Sequence, residues 1–342
     1  MTQAAVMDTQ AARAAKKEVS AYVRDLVDRR ISAQGDGYRV PQISLGLAPQ
    51  PGGGFQVAVR YRLGIPAARM VARRVIEHAG PAVDVRRTGR IRAADATGHG
   101  GTGTGPRPPV ITALAAGETG RARPLRPGVS IAHVDVSAGT LGAFVEVDGV
   151  LHALSNYHVL VGEPSAAVGD GILQPGPADG GTDPADRVGT LAAFVALSPG
   201  ETALVDAAVA LLDDAEVDAT YPVGRVTTTV EALGAEQVEK VGRTTGITQG
   251  RITAIELDDV VVGYGEQLGE LRFDNQIEVE GTGTGPFSRG GDSGSLVYRL
   301  PGGEAVGLLF AGSETGGENG SGLTYLNPIG TVLESLGATL LG

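Results

Sequence analysis

Three short segments hold the residue types that acyl-transfer chemistry needs. The run Leu154-Ser155-Asn156-Tyr157-His158-Val159-Leu160 sets a histidine at the end of an apolar stretch. The run at 204–212, LVDAAVALL, sets one carboxylate, Asp206, among apolar residues. An ionised Asp buried there costs several kcal/mol unless it is hydrogen-bonded, so it calls for a specific partner. The run Gly290-Gly291-Asp292-Ser293-Gly294-Ser295-Leu296-Val297 places a serine at a glycine bend. Adjacent glycines let two backbone N–H groups face one oxygen beside the serine hydroxyl. Taken singly, His158 also reads as a satisfied core histidine, Asp206 as a turn residue before a strand, and the glycines as a plain turn. Their order adds weight: His158 precedes Asp206 by 48 residues, and Asp206 precedes Ser293 by 87.

Order also excludes competitors. The five histidines are His78, His99, His133, His152 and His158, and none follows Ser293. An α/β-hydrolase or a GDS-type esterase needs its histidine after the serine, and GDSGS does not fit the G-x-S-x-G elbow. A subtilisin order would put Asp before His. Zero cysteines exclude a disulfide framework, a thiol nucleophile and a Cys-ligated metal. There is no H-E-x-x-H, no Walker Gly-Lys-Ser/Thr and no dinucleotide fingerprint after a strand. This reading calls for no metal and no cofactor.

The elements that must carry these residues are strands. From about 129 onward the text alternates short apolar runs with turns: GVSIAHVD, TLGAFVEVDG, VLHALSNYHVL, RVGTLAAFVAL, EQVEKVGRTTG, GRITAIELDDVVVGY, LRFDNQIEVEG, SGSLVYRL and AVGLLFAGS. Such spacing predicts all-β barrels or sandwiches, and some 210 residues suit two small barrels better than one. NPIGTVLESLGATLL reads as a closing helix, with Asn327 as cap and Pro328 at its first position. Upstream, 8–31 predicts a helix, 41–47 and 54–63 predict strands around a PQPGGG turn, and 66–79 predicts a helix between Pro66 and Gly80. Residues 82–91 alternate again. Residues 93–124 are rich in Gly, Pro and Arg and read as a linker, with a short ordered stretch at 110–116. The hexapeptide GTGTGP occurs at 101–106 and 281–286, as coincidence in a Gly-rich chain. The expected organisation is an accessory α+β domain at 1–92, the linker at 93–124 and a catalytic domain at 125–342.

Charge is divided along the chain. Residues 1–130 hold 20 Lys+Arg and 9 Asp+Glu; residues 131–342 hold 8 and 30. A basic segment beside an acidic body predicts intramolecular docking or plain solvated charge ahead of nucleic-acid binding, since the arginines lack interleaved aromatics. No apolar stretch suits a signal peptide or a membrane span, so a cytoplasmic protein is expected, with no membrane partner.

SNYHV, the apolar strand around Asp206 and GGDSGSLV resemble the trypsin/chymotrypsin-like serine peptidases. RPLRPGVSIAHVDVSAGTLGAFV, QPGPADGGTDPADRVGTL and VGRTTGITQGRI are similar to a non-secreted, Cys-free bacterial branch that includes the plant narrow-leaf type peptidases. The resemblance implies a mainly β, chymotrypsin-like double β-barrel. It implies a serine endopeptidase with Ser293 as nucleophile, His158 as general base and Asp206 as its orienting carboxylate. Gly291 and Ser293 would supply the oxyanion-hole N–H groups. Phe287, six residues before Ser293, would floor the specificity pocket and favour a small or apolar P1 residue. Phe310, Ala311 and Gly312, within Leu309–Ser313, would pair with a substrate backbone. Asp292 would need a cation or hydrogen-bond donor, or else the oxyanion loop would stay inactive until something binds, because no Ile-Val-Gly-Gly activation site stands at 120–135. The partner is then a protein or peptide substrate. The alternative is a peptidase-fold binding or assembly module whose site is idle or gated by a partner. Cleavage near Arg121–Arg126 would release the basic segment.

Overall fold

The computed structural model describes residues 6–34, 42–93, 117–313 and 315–342. Most of the expected linker, with the 110–116 stretch and the first GTGTGP copy, lies outside the described residues.

Helix α1 (Thr9–Gln34) turns Val19, Tyr22, Val23 and Leu26 toward the strands that follow. Strand β1 (Ile43–Pro49) and strand β2 (Phe55–Arg62) form an antiparallel hairpin. Helix α2 (Pro66–Ala79) starts on its proline and ends at Gly80, whose φ of 58° suits a residue without a Cβ. It carries the chain across to β3 (Val83–Thr88), parallel to β2. Two residues later comes the three-residue β4 (Ile91–Ala93).

After residue 117 the regular elements of the described chain are nearly all strands. It runs through β5 (Ser130–His133), β6 (Gly139–Thr140), β7 (Ala143–Val147), β8 (Val150–Ser155) and the single turn α3 (Tyr157–Leu160). Then come β9 (Gly171–Leu173), β10 (Arg187–Phe194), β11 (Thr202–Ala203), β12 (Ala208–Leu212) and the small pair β13 (Thr220–Tyr221) and β14 (Gly224–Arg225). The second half holds β15 (Gln237–Gly242), β16 (Gly246–Asp258), β17 (Val260–Gly263), α4 (Gly265–Leu268), β18 (Glu270–Phe273) and β19 (Gln276–Gly281). It closes with β20 (Leu296–Leu300), β21 (Ala305–Ser313), β22 (Thr324–Pro328), α5 (Ile329–Leu336) and β23 (Ala338–Leu340).

The molecule is mainly β, with two large sheets. One has eight strands in the order β23-β7-β8-β12-β10-β9-β5-β6. The other runs β11-β18-β17-β4-β21-β20-β15-β16-β1-β2-β3, with β19 and β22 bridging β16 to β21. The N-terminal strands therefore extend the second sheet through the antiparallel pairing of β1 with β16. Ion pairs follow the same seam: Arg13 with Glu256, Lys16 with Asp258, Arg86 with Glu280, and Arg60 with Glu278 at 2.8 Å. Arg60 and Glu278 are both buried. Burial opposes the Arg60 charge, but Glu278 and Asp84 outweigh it and hold its pKa above the ordinary arginine value. The uneven charge of the sequence is thus realised as contact between basic residues of the first 90 and acidic residues of the β body.

Two sequence expectations change here. The closing segment is not one helix. Gly337, at φ 60°, stops α5, and residues 338–340 pair with β7 of the other sheet. Asn327 is not a cap: it lies on β22, and its amide is committed to hydrogen bonds inside the body. Near the expected release point, Ala122 and Leu125 are buried, and Arg121 is paired with Asp186.

Candidate active site

β8 delivers His158. Ser155 ends the strand, and α3 turns the next residues inward, so Asn156, Tyr157 and His158 are all buried. Asp206 sits just before β12, the neighbour of β8 in the same sheet. Antiparallel pairing of Ala208 with Ser155 brings their ends together despite the distance in sequence. His158 Nδ1 lies 2.5 Å from Asp206 Oδ2, and the His158 backbone N–H donates to Oδ1 at 3.2 Å. A proton on Nδ1 directed at this carboxylate leaves Nε2 to act as a base.

The buried carboxylate has the partners that its burial demands. Tyr264 Oη donates to Asp206 Oδ2 at 2.5 Å, and its ring meets the His158 ring edge-on with centroids 5.8 Å apart. Asn156 Nδ2 donates to the Asp206 carbonyl. The Asp206 N–H donates to Asn327 Oδ1, and Asn327 Nδ2 donates to Gln276 Oε1. Nearby, Tyr157 has its pKa raised by burial and by the Asp206 charge. From the second sheet region, Tyr264 holds the Asp206 carboxylate, and Asn327, itself held by Gln276, holds the Asp206 backbone N–H.

Ser293 belongs to the loop before β20, in the second sheet. Two bonds lace it to the histidine strand: the Thr140 N–H donates to Ser293 O at 2.7 Å, and Ser155 Oγ donates to Thr140 O at 2.7 Å. Gly294, at φ 91°, passes so close that a Cβ would stand 2.1 Å from Ser155 Oγ and 2.3 Å from Thr140 O. Only glycine permits that approach. Within the loop, the Asp292 N–H donates to Arg289 O, the Gly294 N–H to Leu309 O and the Ser295 N–H to Asp292 O. The Gly291 and Ser293 N–H groups take no part in these bonds.

Asp292 has the donors and the cation that the sequence said it would need. Its carboxylate accepts from the N–H groups of Thr244, Thr245 and Arg289 and from Thr245 Oγ1, at 2.7 to 3.0 Å. Lys240 Nζ stands 3.6 Å away, and both side chains are fully buried. Burial pulls the Lys240 pKa below that of an ordinary lysine, while Asp292 works the other way. No free N-terminus is required to neutralise this carboxylate. Beside it, Arg243 is bound through its Nε to Asp179 at 2.7 Å.

The expected substrate-contact residues divide. Phe287 does not floor an open pocket: its ring is buried with Ile252, Ile277, Val279 and Val297 in the core of the second sheet. Its carbonyl accepts from Thr248 Oγ1, and the Lys240 ammonium stands 5.9 Å from the ring centre. The next residue, Ser288, bonds Thr324 through their hydroxyls at 2.7 Å, and its Oγ is 3.6 Å from where a Cβ on Gly312 would stand. Phe310 is buried against Phe273, with centroids 4.8 Å apart. Ala311 and Gly312 lie on β21, paired on one edge with β22 and on the other with β4, both strands of this same chain.

Tyr264 and Lys240 escaped the sequence reading. Lys240 had a usable signal: in QVEKVG it falls two residues after Val238, on the face that the apolar residue buries. Tyr264, in VVVGYGE, had none, because its role arises from packing across two sheets. Among the described residues no cluster of His, Asp and Glu could hold a metal ion, and no helix is long and apolar enough to cross a membrane.

No family model and no curated protein matches the chain. Solved structures do. Thermobifida fusca Protease A is 21% identical, covering 64% of this chain and 98% of its own, with a TM-score of 0.44. The Nocardiopsis protease NAPase is 19% identical over 64% of this chain and 99% of its own, with a TM-score of 0.45. A chymotrypsin from Cellulomonas bogoriensis is 22% identical over 64% and 98%, with a TM-score of 0.42.

Proposed function

We propose that the chain is a chymotrypsin-like serine endopeptidase in which His158, Asp206 and Ser293 form the triad. The observation that carries this reading is the buried His158–Asp206 couple, held from one sheet and laced through Thr140 to a glycine loop that bears Ser293 from the other. Ser293 Oγ attacks the scissile carbonyl and passes its proton to His158 Nε2. Asp206 keeps the other ring proton on Nδ1 and stabilises the imidazolium that results. His158 then protonates the leaving amine, and water repeats the sequence to release the acyl group. The Gly291 and Ser293 N–H groups receive the oxyanion, where one lost donor costs about 2.7–4 kcal/mol. Lys240 and the four donors to Asp292 hold that loop formed. Apart from Arg92 of β4, whose side chain is exposed, the residues gathered beside Gly312 are Ser288, Leu323 and Thr324. None is charged, which supports an uncharged P1 residue.

The test is labelling of the purified chain with a fluorophosphonate, with the adduct located by mass spectrometry. Labelling at Ser293 that disappears in Ser293→Ala supports an activated nucleophile. Absence of labelling in a well-folded sample, both in the full chain and in an Ile91→Asp/Ala93→Asp variant, removes the catalytic reading and leaves a binding module.

A further inference from the structure

The strand β4 occupies the position a substrate would take, if the reading above holds. Residues 88–93 run antiparallel to the outer edge of β21 and its continuation. Thr88 faces Gly316 across an isolated bridge, the Gly89 N–H donates to Thr315 O at 2.9 Å, and Ile91, Arg92 and Ala93 pair with Ser313, Gly312 and Ala311. The direction is that of a substrate as well. The segment advances along β21 toward Leu309, at the middle of that strand, which exchanges backbone hydrogen bonds with Gly294 and Ser295 of the nucleophile loop.

The seat is a slot one strand wide. On its far side β4 pairs in parallel with β17 at Gly263, and the strand order β18-β17-β4-β21 makes β4 the link between those two edges. Ile91 and Ala93 point into the body and are buried, while Arg92 between them is exposed, as the two-residue strand period requires. The buried pair joins the apolar cluster of Val262, Phe273 and Phe310, and Phe273 stacks on Tyr264, which touches both His158 and Asp206. An extended peptide that adds to β21 would use the same backbone groups and the same apolar floor.

We infer that residues 88–93 are a substrate mimic seated in cis. The full chain is a self-blocked peptidase, and its preferred ligand is an extended peptide with an apolar residue at the place of Ile91 and a small residue at the place of Ala93. The residue between them faces solvent and is unselected. Backbone pairing supplies the affinity and the two buried side chains supply the selection.

The test uses the full chain and two substrates with one leaving group, the thiobenzyl esters of acetyl-Ala and of acetyl-Ile-Arg-Ala-Ala. With the slot filled, the longer ester gains less than threefold in kcat/KM over the shorter in the wild-type chain. In Ile91→Asp/Ala93→Asp, which places carboxylates on the apolar floor, the longer ester gains at least tenfold, and acetyl-Asp-Arg-Asp-Ala thiobenzyl ester does not. Arg92→Ala, an exposed change, behaves as wild type. A tenfold gain from extension in the wild-type chain overturns the inference, and that comparison stands even if the double variant does not fold. Fluorophosphonate labelling of Ser293 in the wild type separates the two claims. If labelling fails, binding of fluorescent acetyl-Ile-Arg-Ala-Ala to full-length Ser293→Ala still decides occupancy: weak binding that strengthens at least tenfold with the double substitution supports the inference, and equal binding overturns it.

Discussion

Replacing Lys240 by methionine keeps the length of a buried side chain and removes its charge. The consequence follows from the Asp292 site. Both partners are fully buried and 3.6 Å apart, so the substitution strands a carboxylate away from water. Breaking such a pair costs about 3–5 kcal/mol. Four other donors remain on Asp292, at 2.7 to 3.0 Å, which puts the cost at the low end, about 3 kcal/mol. If the fold absorbs it, the denaturant midpoint drops. If the loop relieves it by turning Asp292 outward, the Gly291 and Ser293 N–H groups lose their alignment, and labelling slows by about 100-fold. Measuring the second-order rate of fluorophosphonate labelling beside the denaturant midpoint shows how the cost divides. Lys240→Met/Asp292→Asn, which removes the stranded charge, recovers at least half of either loss. Labelling within twofold of wild type and an unchanged midpoint in Lys240→Met would refute the argument that this lysine holds the loop.

Three further outcomes follow. Because burial depresses the Lys240 pKa, its proton leaves at a lower pH than that of a free lysine, and above that point Asp292 loses its counter-charge; labelling rate therefore declines on the alkaline side ahead of ordinary lysine titration, and a scan from about pH 7 to about pH 11 loses this limb in Lys240→Met. The linked stability contribution has the opposite sign: the unfolded chain binds the proton more tightly, so Lys240's own ionisation favours folding increasingly as pH rises between the two pKa values. Tyr264→Phe removes a 2.5 Å hydrogen bond to a buried carboxylate, worth about 1.5–3 kcal/mol, so labelling slows by about tenfold or more while circular dichroism is unchanged. Arg60→Met strands Glu278 at the seam between β2 and the body; urea titration shows a loss of about 3 kcal/mol or more, and Arg60→Met/Glu278→Gln returns much of it.

Much of the candidate site could be picked out along the chain because its parts obey local rules. Asp206 announces itself as a charge inside an apolar run, and Gly290-Gly291-Asp292-Ser293-Gly294 as a bend that only glycines tolerate. Helix α2 shows in Pro66 and Gly80, which mark its ends through φ alone. Phe287 misled because position relative to Ser293 says nothing about which way a ring turns; the core behind Gly250 and Val279 had room for it. Asn327 followed by proline reads as a helix start, yet a buried Asp206 backbone N–H needed an acceptor more than α5 needed a cap.

By itself, the sequence determined the residue types available for chemistry, their order, the strand-rich body and the division of charge, because composition, period-two alternation and glycine conformations are properties of neighbours along the chain. Only the tertiary structure decided that Tyr264 supports Asp206, that Lys240 answers Asp292, and that Ile91–Ala93 lies on the edge of β21. Those are meetings of residues 52 to 222 positions apart, as Lys240 with Asp292 spans 52 and Ile91 with Ser313 spans 222. They follow from register and from packing between sheets, where a buried polar group takes whichever partner the folded backbone brings within reach.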